Sequence, residues 1–248
     1  MIAVFKREFR SYFTNPLGYI ILAVSYAFLG NFFAEYYAAG APYVEFVVLG
    51  IAQILLFIIP AITMRLFSEE SRQKTNQILL TSPVKPIGIV MGKFLASMSL
   101  YAICFAPTVI YQIIVASHVS VNLFYYIYSL IGILLFGAAL ISVGMFISSL
   151  TESPALAITF SIIIDIFILF SGSIANSINM PSSNTWYSKL WSLVLSLIVK
   201  LLNGLDFVSV LDSFGNQAFV VKDVVFFISI AAAFIFLTER SLEKRRWS

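Results

Sequence analysis

Residues 65–93 read RLFSEESRQKTNQILLTSPVKPIGIVMGK. This is the one long charged segment interior to an oily chain. It carries Arg65, Glu69, Glu70, Arg72, Lys74, Lys85 and Lys93, and an apolar run flanks it on each side. The chain is 60% hydrophobic and 11% charged, with a mean hydropathy of +0.96. Soluble domains lie nearer half apolar and a quarter charged. In such a chain an island of this kind has to sit in water, and the runs on either side of it read as membrane.

Outward from the island, the apolar runs are about 20 residues long, enough to cross ~30 Å of hydrocarbon at ~1.5 Å per residue. A transmembrane barrel is excluded, since its strands would alternate polar and apolar over ~10 residues. The expected fold is an all-α polytopic membrane protein with six spans, at 17–33, 46–64, 87–115, 124–147, 155–175 and 224–237, in one transmembrane domain covering 1–248. Residues 1–16 are amphipathic. Ile2, Phe5, Phe9, Tyr12 and Phe13 recur at helical spacing, with Lys6, Arg7 and Arg10 on the other side. Such a helix lies in the interface plane with its basic face toward anionic headgroups. The alternative is a signal-peptide flank with cleavage near Ala39-Gly40-Ala41. The length of the flank, its Glu8 and the long first run speak against it.

Lysine and arginine set the orientation. Lys6, Arg7 and Arg10 precede the first span. Arg65, Arg72, Lys74, Lys85 and Lys93 lie in or beside the island, and Arg240, Lys244, Arg245 and Arg246 close the chain. Six spans put these on one side and leave Lys189, Lys200 and Lys222 on the other. Both termini and section 65–86 are therefore expected in the cytoplasm, and section 176–223 outside. Within 176–223, Trp186–Leu205 could pass for a seventh span, but Ser188, Ser192, Ser196, Lys200 and Asn203 form one polar stripe. It reads as an amphipathic or re-entrant helix at the outer leaflet, with a true span replacing another as the alternative.

No catalytic constellation is present. One histidine, one cysteine and scattered acids make neither a metal cluster nor a nucleophilic triad. A phosphate loop needs Gly-x-x-x-x-Gly-Lys-Ser/Thr, and the nearest fragment, Gly88 to Phe94, lacks the spacing and the hydroxyl. Any use of ATP must come from a partner, and no cofactor is expected on this chain. Within the island, Ser68 can cap a helix over Glu69–Leu80 that Pro83 terminates. The result is either a compact cytoplasmic handle for a soluble partner or a solvated hairpin loop.

Asp165 lies midway along the fifth span, where a charge costs about 2.5–3.5 kcal/mol on insertion scales. It reads as a pathway-lining acid, or as a protonated or interhelically hydrogen-bonded group with Ser, Thr, Gln53 or Gln112 as partner. Gln53, Gln112 and Pro107 read first as packing or kink features. Tyr12, Tyr125, Tyr126, Trp186 and Trp247 fit an interfacial aromatic belt.

Glu69-Glu70-x-Arg72-x-x-Thr75-x-Gln77-Ile78-Leu79-Leu80-Thr81-Ser82-Pro83-Val84, followed by Gly92-Lys93-Phe94-Leu95-Ala96, resembles the loop between the second and third spans of type-2 ABC exporter permeases. The gliding-motility and copper-maturation subgroup is the most similar. The opening Lys6-Arg7-Glu8-Phe9 and the closing Leu242-Glu243-Lys244-Arg245-Arg246-Trp247 resemble that subgroup's ends, so the resemblance spans the whole length. Many members carry Gly where this chain has Lys74 and Glu where it has Gln77.

The resemblance implies a permease subunit in a bacterial plasma membrane. It would pair with a second permease, as homo- or heterodimer, and with two nucleotide-binding ATPase subunits that hold ATP and Mg. Its other partner is membrane lipid, with no nucleic acid. The first helix would be an elbow helix. Glu69, Glu70, Arg72, Thr75, Leu79, Leu80, Ser82 and Pro83 would form the coupling surface. The competing readings are a non-transporting membrane scaffold and a secondary transporter. The latter would want more intramembrane polar groups and broken helices in two matching halves. The cargo has no signature in the sequence.

Overall fold

A computed structural model describes residues 1–40, 44–50, 52–74, 86–118, 123–178, 195–200, 202–204, 206–215 and 221–247. All regular structure among them is helical. The elements are α1 (Ile2–Thr14), α2 (Pro16–Ala38), α3 (Val44–Gly50), α4 (Ala52–Thr63), α5 (Ser68–Arg72), α6 (Pro86–Cys104), α7 (Ala106–Ala116), α8 (Leu123–Leu150), α9 (Pro154–Ser177), α10 (Phe207–Gly215) and α11 (Val221–Trp247), with a further helical stretch at 195–200.

Among the described residues, five segments are long and apolar enough to cross a membrane: Pro16–Ala38, Pro86–Ala116, Leu123–Leu150, Pro154–Ser177 and Val221–Lys244. The expected second span, 46–64, includes Ile51, which lies outside the described residues; α3 and α4 cover the rest of it apart from Met64, and Pro60 sits inside α4. A proline in a helix removes one backbone hydrogen bond and crowds the preceding turn. The third span also bends. α6 ends at Cys104 and α7 begins at Ala106, with Pro107 in its first turn, where the missing N–H is tolerated.

α8 is the central post. It packs against α3, α4, α6, α9, α10 and α11, and it is the most buried of the long helices. Glycines let its neighbours approach. A Cβ at Gly137 would fall 2.2 Å from the Tyr101 ring of α6, and one at Gly144 would fall 2.4 Å from Thr63 Oγ1 of α4. The opposite faces of α2, α9 and α11 carry exposed Ile20, Phe28, Ile163, Phe167, Phe170, Ile228 and Phe236. An apolar surface of that extent belongs against lipid or another membrane subunit.

The sequence leaves α10 unpredicted. Asp206 caps it by accepting the Ser209 N–H at 3.1 Å, and Phe207 and Phe214 enter the core against Phe136, Tyr128 and Phe227. Most of the expected amphipathic helix at 186–205 lies outside the described residues.

Candidate functional site

The site forms where α1, α5 and α6 meet. α1 follows the expected amphipathic pattern, and Asn15-Pro16 separates it from α2. It can lie close on α6 because position 92 is glycine. A Cβ there would stand 2.9 Å from Val4 Cβ and 3.0 Å from the Met1 carbonyl oxygen. The contact brings Glu8 to Lys93, one residue on from Gly92.

Lys93 is 1% exposed. Its Nζ lies 3.1 Å from Glu8 Oε1 and 3.0 Å from Glu70 Oε1, and it donates to the Leu66 carbonyl. The ammonium also stands 5.0 Å from the centre of the Phe67 ring, close enough for a cation–π contact. Arg7 Nη2 completes the set, 2.6 Å from Glu8 Oε1 and 2.7 Å from Glu70 Oε1. Two cations and two carboxylates from three helices thus balance one another. Burial pushes the Glu8 carboxyl up, but Lys93 and Arg7 outweigh burial and hold it below the usual carboxylate value. Burial likewise pulls the Arg7 guanidinium down, and Glu8 and Glu70 outweigh that and raise it. One turn on, the Tyr12 hydroxyl donates to the Ile62 carbonyl at 3.0 Å and lies 3.1 Å from Ser97 Oγ, and burial raises its phenol.

Several expectations change here. Lys93 does not sit in water with the rest of the island. Arg7 points to the acids of α1 and α5 rather than to headgroups. Tyr12 is a buried tie between α1, α4 and α6 rather than a belt residue, and Tyr126 is buried against Thr108 at 2.9 Å. The helix expected over Glu69–Leu80 is shorter, since α5 stops at Arg72. Ser68 does not cap it. Its hydroxyl donates back to the Met64 carbonyl, and Ser148 at the end of α8 accepts the Phe67 and Ser68 N–H groups at 3.1 and 3.2 Å. The stop is made by Lys74, whose φ of 55° is left-handed, a conformation that favours glycine just beyond a helix end.

The predicted coupling residues are divided. Glu70 turns inward to Lys93 and Arg7. Glu69 lies at the surface, 3.8 Å from Arg65, and Arg72 is exposed and makes no ion pair among the described residues. Thr75, Leu79, Leu80, Ser82 and Pro83 lie outside the described residues. A cleft of about 310 Å³ opens between α1, α4 and α5, with Arg7, Glu8, Arg65, Glu69, Glu70 and Lys93 in its walls.

Asp165 is 1% exposed on the stripe Ala157, Ser161, Asp165, Ile168, Gly172 and Ala175, the buried face of α9, a helix packed on α4 and α8. Among the described residues neither of its carboxylate oxygens has a hydrogen-bond partner, nor has Ser161 Oγ one turn away. Gln112 is buried with its Oε1 also unpartnered, so it is not the hydrogen-bond partner expected for Asp165. The Gln53 side chain lies outside the described residues.

Residues 9–238 match the ABC-2 family transporter proteins. The chain belongs to the ABC-2 transporter family. No curated protein matches it. An ABC-2 chain is the permease, the membrane component of an ABC transporter, and not itself catalytic. Such permeases generally work with a nucleotide-binding ATPase subunit. The matched region includes Glu70 and Lys93 and begins just after Arg7 and Glu8. The network of Glu70 with Lys93 and Arg7, and of both cations with Glu8, was missed from the sequence. Its signals were a lone acid on a basic amphipathic helix and a lysine about two turns inside an apolar helix.

Proposed function

We propose that this ABC-2 permease couples ATP hydrolysis in separate nucleotide-binding subunits to export across a bacterial plasma membrane, and that the outward face of α5 receives their push. The division of α5 carries the proposal. One acid, Glu70, is fixed into the membrane part, while Glu69 and Arg72 are left at the surface of a chain that has no phosphate loop. A surface that is anchored on one side and free on the other suits a soluble partner that moves.

In this reading the chain has six spans, with α3 and α4 together forming the second. Both termini and 65–86 are cytoplasmic, and 176–223 is external. The chain works with a second permease subunit, and ATP and Mg bind in the partners. The gliding-motility and copper-maturation subgroup is its place within the family. ATP-driven closure of the partner pair displaces α5, and alternating access follows because the partners contact the two permease states differently. Thr75, Leu79, Leu80, Ser82 and Pro83 extend the coupling surface. Asp165 is a candidate pathway group, and Gln53 and Gln112 are candidate interhelical groups.

The test is co-expression with a nucleotide-binding ATPase subunit from the same organism. The pair is expected to co-purify, and Glu69→Ala/Arg72→Ala to abolish the association while leaving the permease folded. A permease that never co-purifies with the ATPase, or a double variant that binds it undiminished, overturns the proposal.

A further inference from the structure

We infer that Lys93 is a positioning residue that delivers the motion of α5 into the third span, α6–α7, and that it does so by clamping α5 and the elbow helix α1 onto α6 as one body. The inference rests on the proposed coupling to an ATPase.

Three observations carry it. First, the covalent route from α5 into the membrane is poorly suited to transmit a push. It runs back through the turn Met64–Phe67 into α4, where Pro60 sits inside the helix and removes one of its backbone hydrogen bonds. Second, the through-space route is short and charged. Glu70 of α5 and Glu8 of α1 both end on Lys93 Nζ, at 3.0 and 3.1 Å. Charge-assisted bonds of this kind are shorter and stronger than neutral ones. Lys93 is buried and its two acids are mostly so, and the contact is screened much less than a surface pair. Third, α6 is held against α1 independently of charge. Gly92 admits Val4, and Tyr12 bonds to Ser97 of α6 and to the Ile62 carbonyl of α4. A displacement of α5 that keeps Glu70 on Lys93 therefore has to move α6, and α1 goes with it.

A second tie, from the Phe67 and Ser68 N–H groups to Ser148, connects the start of α5 to α8 through neutral bonds. α8 is the buried centre of the fold. The neutral tie thus fixes a pivot on the post, and Lys93 holds the arm that moves. Spatial intermediacy alone does not establish coupling, so the experiment has to remove the contact and leave the rest in place.

Lys93→Met/Glu8→Gln does this. It removes one cation and one anion and leaves Arg7 paired with Glu70, so α5 loses its direct tie to α6 and keeps only the longer route through α1. The full-length permease is co-expressed with its ATPase, reconstituted in nanodiscs, and spin-labelled at Ser117→Cys and Asn176→Cys on a Cys104→Ser background. These are exposed positions at the far ends of the third and fifth spans. In the otherwise unaltered complex, ATP is expected to shift the distance between the labels. The double variant is expected to co-purify with the ATPase and to hydrolyse ATP at the unaltered rate, with the shift clearly reduced.

A merely structural lysine would lower yield or assembly without separating hydrolysis from the shift. If the Met variant does not fold, Lys93→Gln/Glu8→Gln, which can still donate to the Leu66 carbonyl, is read in the same way. A shift of full size in a folded double variant overturns the inference and leaves the proposed function standing. Failure of the unaltered permease to bind the ATPase removes both.

Discussion

Two ionisable side chains are equally buried, and they differ in everything else. Lys93 and Asp165 are each 1% exposed. Lys93 meets two carboxylates, a carbonyl and an aromatic face, whereas among the described residues both oxygens of Asp165 meet no hydrogen-bond partner. A charge withdrawn from water is sustained only by a set of partners such as that of Lys93. The comparison therefore separates two uses of a buried charge. At Lys93 it binds three helices together. At Asp165 the same burial comes with no hydrogen-bond partner among the described residues.

The largest effect should come from breaking the satisfied site. Lys93→Met leaves Glu8 and Glu70 with Arg7 as their one cation, and removal of one partner from a buried pair costs about 3–5 kcal/mol. Thermal unfolding in detergent measures it, and an unchanged midpoint would mean that the network contributes nothing. The unsatisfied site should answer in the opposite direction. Asp165→Leu is expected to stabilise the permease by about 2 kcal/mol, since it replaces an unpartnered acid at the centre of a span. A lower midpoint would show that Asp165 is held after all.

Gly92→Ala sharpens the comparison by leaving every charge in place and crowding the α1–α6 contact. A cost of about 1–3 kcal/mol is expected, together with faster hydrogen exchange in α1. Smaller again is Lys74→Gly. It relieves the left-handed position after α5 and should stabilise by about 1 kcal/mol, read by the same unfolding curves.

The smallest effect is that of pH. The folded Glu8 carboxyl is depressed, so its contribution is complete above the unfolded carboxylate value of 4.5 and is lost as pH falls through the lower folded value. Hydrogen exchange of α1 should accelerate only at such acidity, and Glu8→Gln should remove that dependence.

The helical membrane fold was legible because spans declare themselves through length and hydropathy, and five of the six expected ones appear as long helices. The second was legible as apolar, and the described parts of it are helical on either side of Ile51. α5 was placed correctly and drawn too long. A left-handed lysine has no signature of its own, and only the glycine common at that position among similar permeases hinted at it. The charge network was illegible for another reason. Arg7, Glu8, Glu70 and Lys93 come from three helices, and only packing at Gly92 brings α1 near α6. Asp165 stood out because a single acid in an apolar span cannot be mistaken for anything else, yet its lack of partners needed the fold.

The central claim is that the outward face of α5 is cytoplasmic and is covered by the ATPase. Gln73→Cys, an exposed position beside Arg72, on a Cys104→Ser background and probed with a membrane-impermeant maleimide, tests it most directly. In inside-out vesicles the cysteine should label readily when the permease is alone and be protected when the ATPase is co-expressed, while right-side-out vesicles should leave it unlabelled. Labelling from the outside, or equal labelling with and without the ATPase, would contradict the claim.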